Sequence, residues 1–204
     1  MTEVNKKKIR GWKRRIRAID SWFETYRGPD LDRFRDKGSA YLKIRISPWN
    51  LLCERVPPNW YFRLILQKLV LVHDTWKVIF EKEQVPFDLQ IWLNYPNTIR
   101  SQVVCAKVNC IGEVKDDYYR ESAENKSLPV IWTESLPDLC KFTWNRYDDE
   151  DFWFKHLDHL DEQEIGDLKN MGFIEDEIII DGATETRYSR KVGHVWIGRK
   201  SDHL

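Results

Sequence analysis

Between Trp60 and Phe80 the apolar residues Phe62, Ile65, Leu66, Leu69, Val72, Trp76, Ile79 and Phe80 recur with helical spacing and line one broad face. Leaving such a face in water forfeits roughly 25 cal/mol for every Å² of apolar surface, so the rest of the chain has to cover it. The segment therefore predicts a central, mostly buried helix, with Asn59 as its N-cap after Pro57-Pro58.

A second helix is expected from about 8 to 26. Ile9, Trp12, Ile16, Ile19 and Phe23 fall on one stripe, and Arg27-Gly28-Pro29 is a strong stop. This segment also gathers positive charge. Lys6, Lys7, Lys8, Arg10, Lys13, Arg14, Arg15 and Arg17 stand against Glu3 and Asp20. Cations crowding an N-terminal turn oppose the helix dipole, so residues 1–8 read as a flexible basic lead-in or as a segment facing a negative partner.

Alternation marks the strands. Leu42, Ile44 and Ile46 oppose Tyr41, Lys43 and Arg45; Phe87, Leu89, Ile91 and Leu93 share a face; and Ile99 to Val108 follows the turn Asn94-Tyr95-Pro96-Asn97 closely enough to favour an antiparallel pair. Residues 112–127 read as a loop or a short surface helix. Val130–Thr133 reads as a short strand, Lys141–Tyr147 as a better one, and Asp148–Asp151 as an acidic turn before the aromatic run Phe152-Trp153-Phe154. A short helix is expected within 157–171, stopped near Gly172. Then comes a hairpin through Asp181-Gly182, whose residues suit the positive backbone angles of a tight turn, and a closing strand at Val195–Ile197.

The fold class expected is α+β: a mainly antiparallel sheet packed against the N-terminal amphipathic helix and the central buried helix. Residues 1–204 are read as a single domain, with 148–176 an acidic insertion or surface segment. A chain of this size buries about 70% of its extended surface without help from disulfides or metal, and nothing in it calls for a cofactor.

Its 33 basic and 33 acidic residues cancel, so steering toward any partner has to be local. Residues 148–177 carry twelve carboxylates against Lys155 and Lys169, a complement to the basic N-terminus with which they are able to pair. Cys53, Cys105, Cys110 and Cys140 have neither zinc-knuckle nor secreted-framework spacing, and no apolar run approaches a membrane span. The cytoplasm is the compartment expected.

Three short sequences, Lys8-Ile9-Arg10-Gly11-Trp12-Lys13-Arg14-Arg15, Phe87 to Thr98 and His194-Val195-Trp196-Ile197-Gly198, resemble a family of uncharacterised bacterial proteins of unknown function. That family opens on a basic Lys-Ile-Arg-Gly-like segment and ends on a Trp-containing strand. The resemblance implies no catalytic residue, and the acidic 148–181 region is longer here than the family's usual ending.

Signposts of chemistry are sparse. The glycines form neither a dinucleotide nor a nucleoside-triphosphate cradle, and there is no Gly-x-Ser-x-Gly elbow. His156 and His159, with Asp158 and Asp161, are the densest candidate metal ligands, three apart if helical, but they lack the Glu of a His-Glu-x-x-His site. His73 and Asp74, adjacent on the central helix, point about 100° apart and are not expected to form an acid–base pair by themselves. An enzyme without a recognisable signature stays open.

The ten tryptophans are dispersed through nearly every predicted element, which chiefly indicates core packing. The local exception is Trp144, Tyr147, Asp148, Asp149, Asp151 and Trp153, with Phe152 and Phe154. An acidic aromatic surface suits a basic protein partner, while the same residues suit simple cross-sheet packing. The preferred functional expectation is thus a non-enzymatic interaction or regulatory protein that neutralises or modulates a partner. The alternative is nucleic-acid binding through Lys6, Lys7, Lys8, Arg10, Lys13, Arg14 and Arg17. Partner identity and oligomeric state are left open.

Overall fold

In the computed structural model, residues 12–25, 28–32, 41–45, 59–96, 100–107, 127–180 and 182–200 are described. The basic lead-in 1–8, residues 112–126 of the expected loop segment, Cys53 and Cys110 lie outside them. The architecture is α+β, with one antiparallel six-stranded sheet and helices packed on it.

The elements in chain order are α1 (Trp12–Thr25), β1 (Tyr41–Arg45), α2 (Asn59–Lys82), β2 (Asp88–Tyr95), β3 (Gln102–Ala106), α3 (Val130–Ser135), β4 (Phe142–Phe154), α4 (Glu162–Asn170), β5 (Ile174–Ile180) and β6 (Ala183–Lys200). The strands run in the order β1-β3-β2-β6-β4, and β5 pairs with β6 beside this path. β6 organises the whole sheet. β4 lies along one of its edges from Arg187 to Lys200, while the other edge takes β5 at 183–189 and β2 at 194–199.

α2 is the predicted central helix. Phe62, Ile65, Leu66, Leu69, Val72, Trp76 and Phe80 are buried on it against Leu89, Ile91 and Leu93 of β2, Val103 and Cys105 of β3, Phe142 and Trp144 of β4, and Trp196 of β6. The alternation that marks a strand therefore sends those residues to one face of the sheet, called here the helix face. Ile19 carries α1 into the same core, and Lys68 of α2 pairs with Asp20 at 2.8 Å. Trp132 of α3 closes the core edge-on to Trp196 with centroids 5.4 Å apart. Trp76, Trp92, Trp132, Trp144 and Trp196 are buried, in keeping with tryptophan as core material, whereas Trp60 and Trp153 are exposed.

The sheet's other face has its own buried cluster: Trp92, Val104, Ala106, Tyr147, Val195 and Ile197. At the far end of β4 and β6 the layers change sides. There Leu168 of α4 and Phe173 just beyond it cover Tyr188 on this second face. Between the two ends β4 and β6 slip register: Asp149 opposes Gly193 but Glu150 opposes Lys191, leaving Val192 as an extra residue. Such a bulge adds twist locally.

Three expectations need correction. Val130–Thr133 is not a strand but the start of α3, which begins directly after Pro129 at its N-cap. A four-residue apolar run does not by itself distinguish the two states. Asp148–Asp151 is not a turn but the interior of β4, because cations of β6 and Arg100 take up the carboxylates across the sheet. The closing strand is not separate: 184–190 and 195–197 belong to one 18-residue strand. The hairpin between β5 and β6 turns as expected at Gly182, whose φ of +83° is accessible to glycine at little cost.

Candidate functional site

β4 carries every residue of the expected interaction set, and its pleat divides them. Trp144 and Asp148 stand on the helix face; Tyr147, Asp149, Asp151 and Trp153 stand on the other. Trp144 and Tyr147 are buried core residues. Asp149 is only 2% exposed and accepts a hydrogen bond from Asn94 Nδ2 at 2.9 Å and from Arg100 at 3.3 Å. Arg100 also grips Asp151, which receives Arg190 at 3.5 Å from across the strand pair. Burial pushes the Asp149 carboxyl above the ordinary carboxylate range, and the Asn94 and Arg100 donors oppose that shift.

On the helix face Asp148 meets Lys191 at 2.7 Å and His194 at 3.2 Å. Burial alone would raise its pKa. The hydrogen bonds and charges of Lys191 and His194 together outweigh burial and hold the carboxyl below its usual value. The described ion pairs of the acidic block are thus made with Arg100, Lys169, Arg187, Arg190, Lys191 and His194. Apart from Lys169, which lies within the block itself, sequence reading missed these partners because they come from distant positions that only the folded sheet brings together. The one available signal was the cluster of cations Arg187, Arg190 and Lys191 in a strand-forming run.

Beyond the bulge the character of the surface changes. Phe152, Trp153, Leu157, Met171, Ile174, Ile179 and Ile180 are all exposed there. Registered rows place Phe152, Ser189 and Ile174 side by side on the helix-face side, then Phe154, Arg187 and Asp176. Arg187 is buried in that second row and joins Asp176 at 3.3 Å and Glu150 at 3.8 Å. The opposite side carries Trp153, Tyr188 and Glu175 in one row, of which Tyr188 is buried under α4. We call this three-stranded extension, residues 150–191, the arm.

α4 is fastened to the arm by its own sequence. Asp161 accepts from the Glu164 N–H at 2.9 Å, and Glu164 accepts from the Asp161 N–H at 3.0 Å, a reciprocal capping box. Arg190 donates to the Met171 carbonyl and lies 4.7 Å from the Phe173 ring centroid.

His156 and His159 are not on a helix; they sit in the exposed turn 155–159 before α4. His156 Nδ1 lies 2.6 Å from Glu185, and His159 has a φ of +53°. Among the described residues, no group of three or more His, Cys, Asp or Glu is placed to hold a metal ion. His73 and Asp74 do meet, contrary to the expectation from helix geometry: Nδ1 lies 3.0 Å from Oδ1. The same Asp74 Oδ1 accepts from Lys200 of β6 at 2.8 Å. Cys105 is buried in the core, which pushes its thiol far above the reactive range.

Of the alternative, basic set, Lys6, Lys7, Lys8 and Arg10 lie outside the described residues, and Lys13 is described only as backbone. Arg14 and Arg17 are exposed on α1. No described helix is long and apolar enough to cross a membrane. Comparison with protein-family models, curated protein sequences and solved structures finds no match to this chain.

Proposed function

We propose that this chain is a non-enzymatic interaction protein, which neutralises or modulates a basic protein partner through its arm. The observation that carries this reading is the coincidence of exposed apolar side chains with carboxylates in one segment. Ile174 and Ile179 are 72% and 77% exposed, and Trp153 is 43% exposed, inside a stretch where acidic residues outnumber lysines twelve to two. Scattered exposed apolar residues are ordinary on any surface. Along one three-stranded layer, Phe152, Ile174 and Ile180 on one side and Trp153 and Ile179 on the other lie among mostly acidic charge, which resembles the apolar centre and polar rim of a recognition surface. The resemblance to the bacterial family and a cytoplasmic setting belong to the same proposal.

The test is affinity capture from the native host at mild salt, with the intact chain beside a Phe152→Ser/Ile174→Ser/Ile179→Ser variant. A basic protein retained by the first and lost by the second is expected. Equal retention by both would sink the reading.

Exposure of Arg14 and Arg17 favours a second reading, nucleic-acid binding through α1. Titrating labelled duplex and single-stranded oligonucleotides with the intact chain and with Arg14→Glu/Arg17→Glu, at two salt concentrations, decides it. Phosphate contacts require salt-sensitive binding that the variant weakens.

A further inference from the structure

β5 is an edge strand: among the described residues it is bonded to β6 on one side and to no strand on the other. Such an edge presents alternate unpaired N–H and C=O groups, a template for another strand. Its side chains alternate as well. Ile174, Asp176, Ile178 and Ile180 share the side that carries Phe152, whereas Glu175, Glu177 and Ile179 share the side of Trp153 and Tyr188. Natural edges are blunted by charge, Pro or cover. Here the charge is acidic alone, at Glu175, Asp176 and Glu177, and Ile178-Ile179-Ile180 carries none.

Charge decides between occupants. A second copy pairing antiparallel across a two-fold axis would match residues whose numbers add to a constant. Any register centred within 175–177 sets carboxylate against carboxylate, which is destabilising, and registers centred nearer Ile178 set carboxylates against isoleucines. A strand that alternates apolar residues with cations sets the cations on the side of Glu175 and Glu177; only Asp176, which Arg187 already holds at 3.3 Å, falls on its apolar side.

We infer that β5 takes an extended segment of a partner protein as the next strand of the sheet, one in which apolar residues alternate with Lys or Arg. This deepens, and rests on, the reading of the arm as an interaction surface. Main-chain bonds along the seven residues of β5, about 23 Å, supply the affinity, and the side chains supply the choice. The partner's apolar residues extend the row of Ile174, Ile178, Ile180 and Phe152; its cations face Glu175 and Glu177. Glu175 already holds Lys169 at 2.7 Å, so charge selectivity falls mainly on Glu177.

The probe is a labelled synthetic peptide of about ten residues in which Val alternates with Lys, long enough to span β5. Its controls are a peptide of the same composition with the lysines in one block and an alternating Val-Glu peptide. Binding to the full chain is read by fluorescence anisotropy and by backbone hydrogen exchange. Expected is binding of the alternating basic peptide at least about tenfold tighter than the block peptide, slowed exchange at 174–180, and a loss of about tenfold in Glu177→Lys. Glu177 is exposed, and unchanged thermal unfolding of the variant separates lost recognition from lost folding.

Equal affinity for the block peptide, with protection elsewhere in the arm, overturns strand addition while the interaction reading stands. No binding of either basic peptide overturns strand addition, and loss of host capture besides would remove the broader reading too. Concentration-dependent self-association that protects the same amides makes a second copy the occupant and overturns the inference.

Discussion

The indole of Trp144 occupies the space where Gly198, its partner across the β4–β6 pair, would carry a side chain. A Cβ built there falls 2.5 Å from Cζ3 and 2.6 Å from Cη2 of the ring. The sheet accepts a large ring at this point of the core because the opposite residue has no side chain. The ring is further fixed by Nε1 donating to the Leu139 carbonyl at 3.0 Å.

Gly198→Ala is therefore expected to destabilise the protein by about 1–3 kcal/mol through overpacking. In a Trp144→Leu background the same substitution costs less, since the obstructing ring is gone. A double-mutant cycle by urea denaturation measures the coupling, and additive effects would show that the two residues do not compete for space.

Asp149 ties β4 to Asn94 of β2 and to Arg100 in the β2–β3 connection. Asp149→Ala removes the acceptor of Asn94 Nδ2 and one of the two carboxylates held by Arg100. The expected cost is about 2–4 kcal/mol, below that of a fully buried pair because Arg100 still reaches water. Asp149→Asn keeps an oxygen in place and is expected to cost about half as much. Denaturant midpoints for the two variants check the order.

Burial lowers the pKa of His73 below 6.5, and the hydrogen bond to Asp74 only partly opposes this. The folded state thus keeps a neutral imidazole where the unfolded chain binds a proton. Its stabilising effect is complete above the unfolded value of 6.5 and is lost as pH falls through it toward the lowered folded pKa. His194 shifts the same way, through burial and then the charges of Arg146 and Lys191. Unfolding midpoints at about pH 7.5 and about pH 5.5, bracketing the histidine range, are expected to drop less in His73→Leu than in the unaltered chain. An equal drop would remove His73 from the account.

Asp161→Ala removes the side-chain acceptor that starts α4. The expected cost is about 0.5–2 kcal/mol, concentrated in the arm rather than in the α2 core. Faster amide exchange across 162–170 with little change in 62–80 is the result that checks it.

Much of the fold was legible in the residues themselves. The face from Phe62 to Phe80 announced α2, the alternation of Leu89, Ile91 and Leu93 announced the inner face of β2, and Asp181-Gly182 announced the β5–β6 hairpin. Each is a local pattern whose period is the period of the structure it forms. Asp148 to Asp151 misled because four consecutive carboxylates have a low strand propensity. Their neutralising cations lie at Arg100 and at 187–194, beyond any local window.

The candidate surface was legible only in outline. Composition placed aromatic and acidic residues together near 144–154, but no period told which of them faced water. Pairing with β6 sent Trp144 and Tyr147 into two separate cores and left Trp153 exposed, and it made the isoleucines of β5 an edge rather than an interior strand.

The sequence by itself determined the long central helix and those strands whose apolar residues alternate, because helix and strand periods are written in the spacing of apolar side chains. It also determined that one long helix would be central, since so broad an apolar face is stable only when covered. Tertiary structure alone decided which carboxylates are satisfied, which face each ring takes, and which strand ends the sheet. Those outcomes depend on neighbours supplied by strands far apart in the chain, and such neighbours exist only once the sheet has formed.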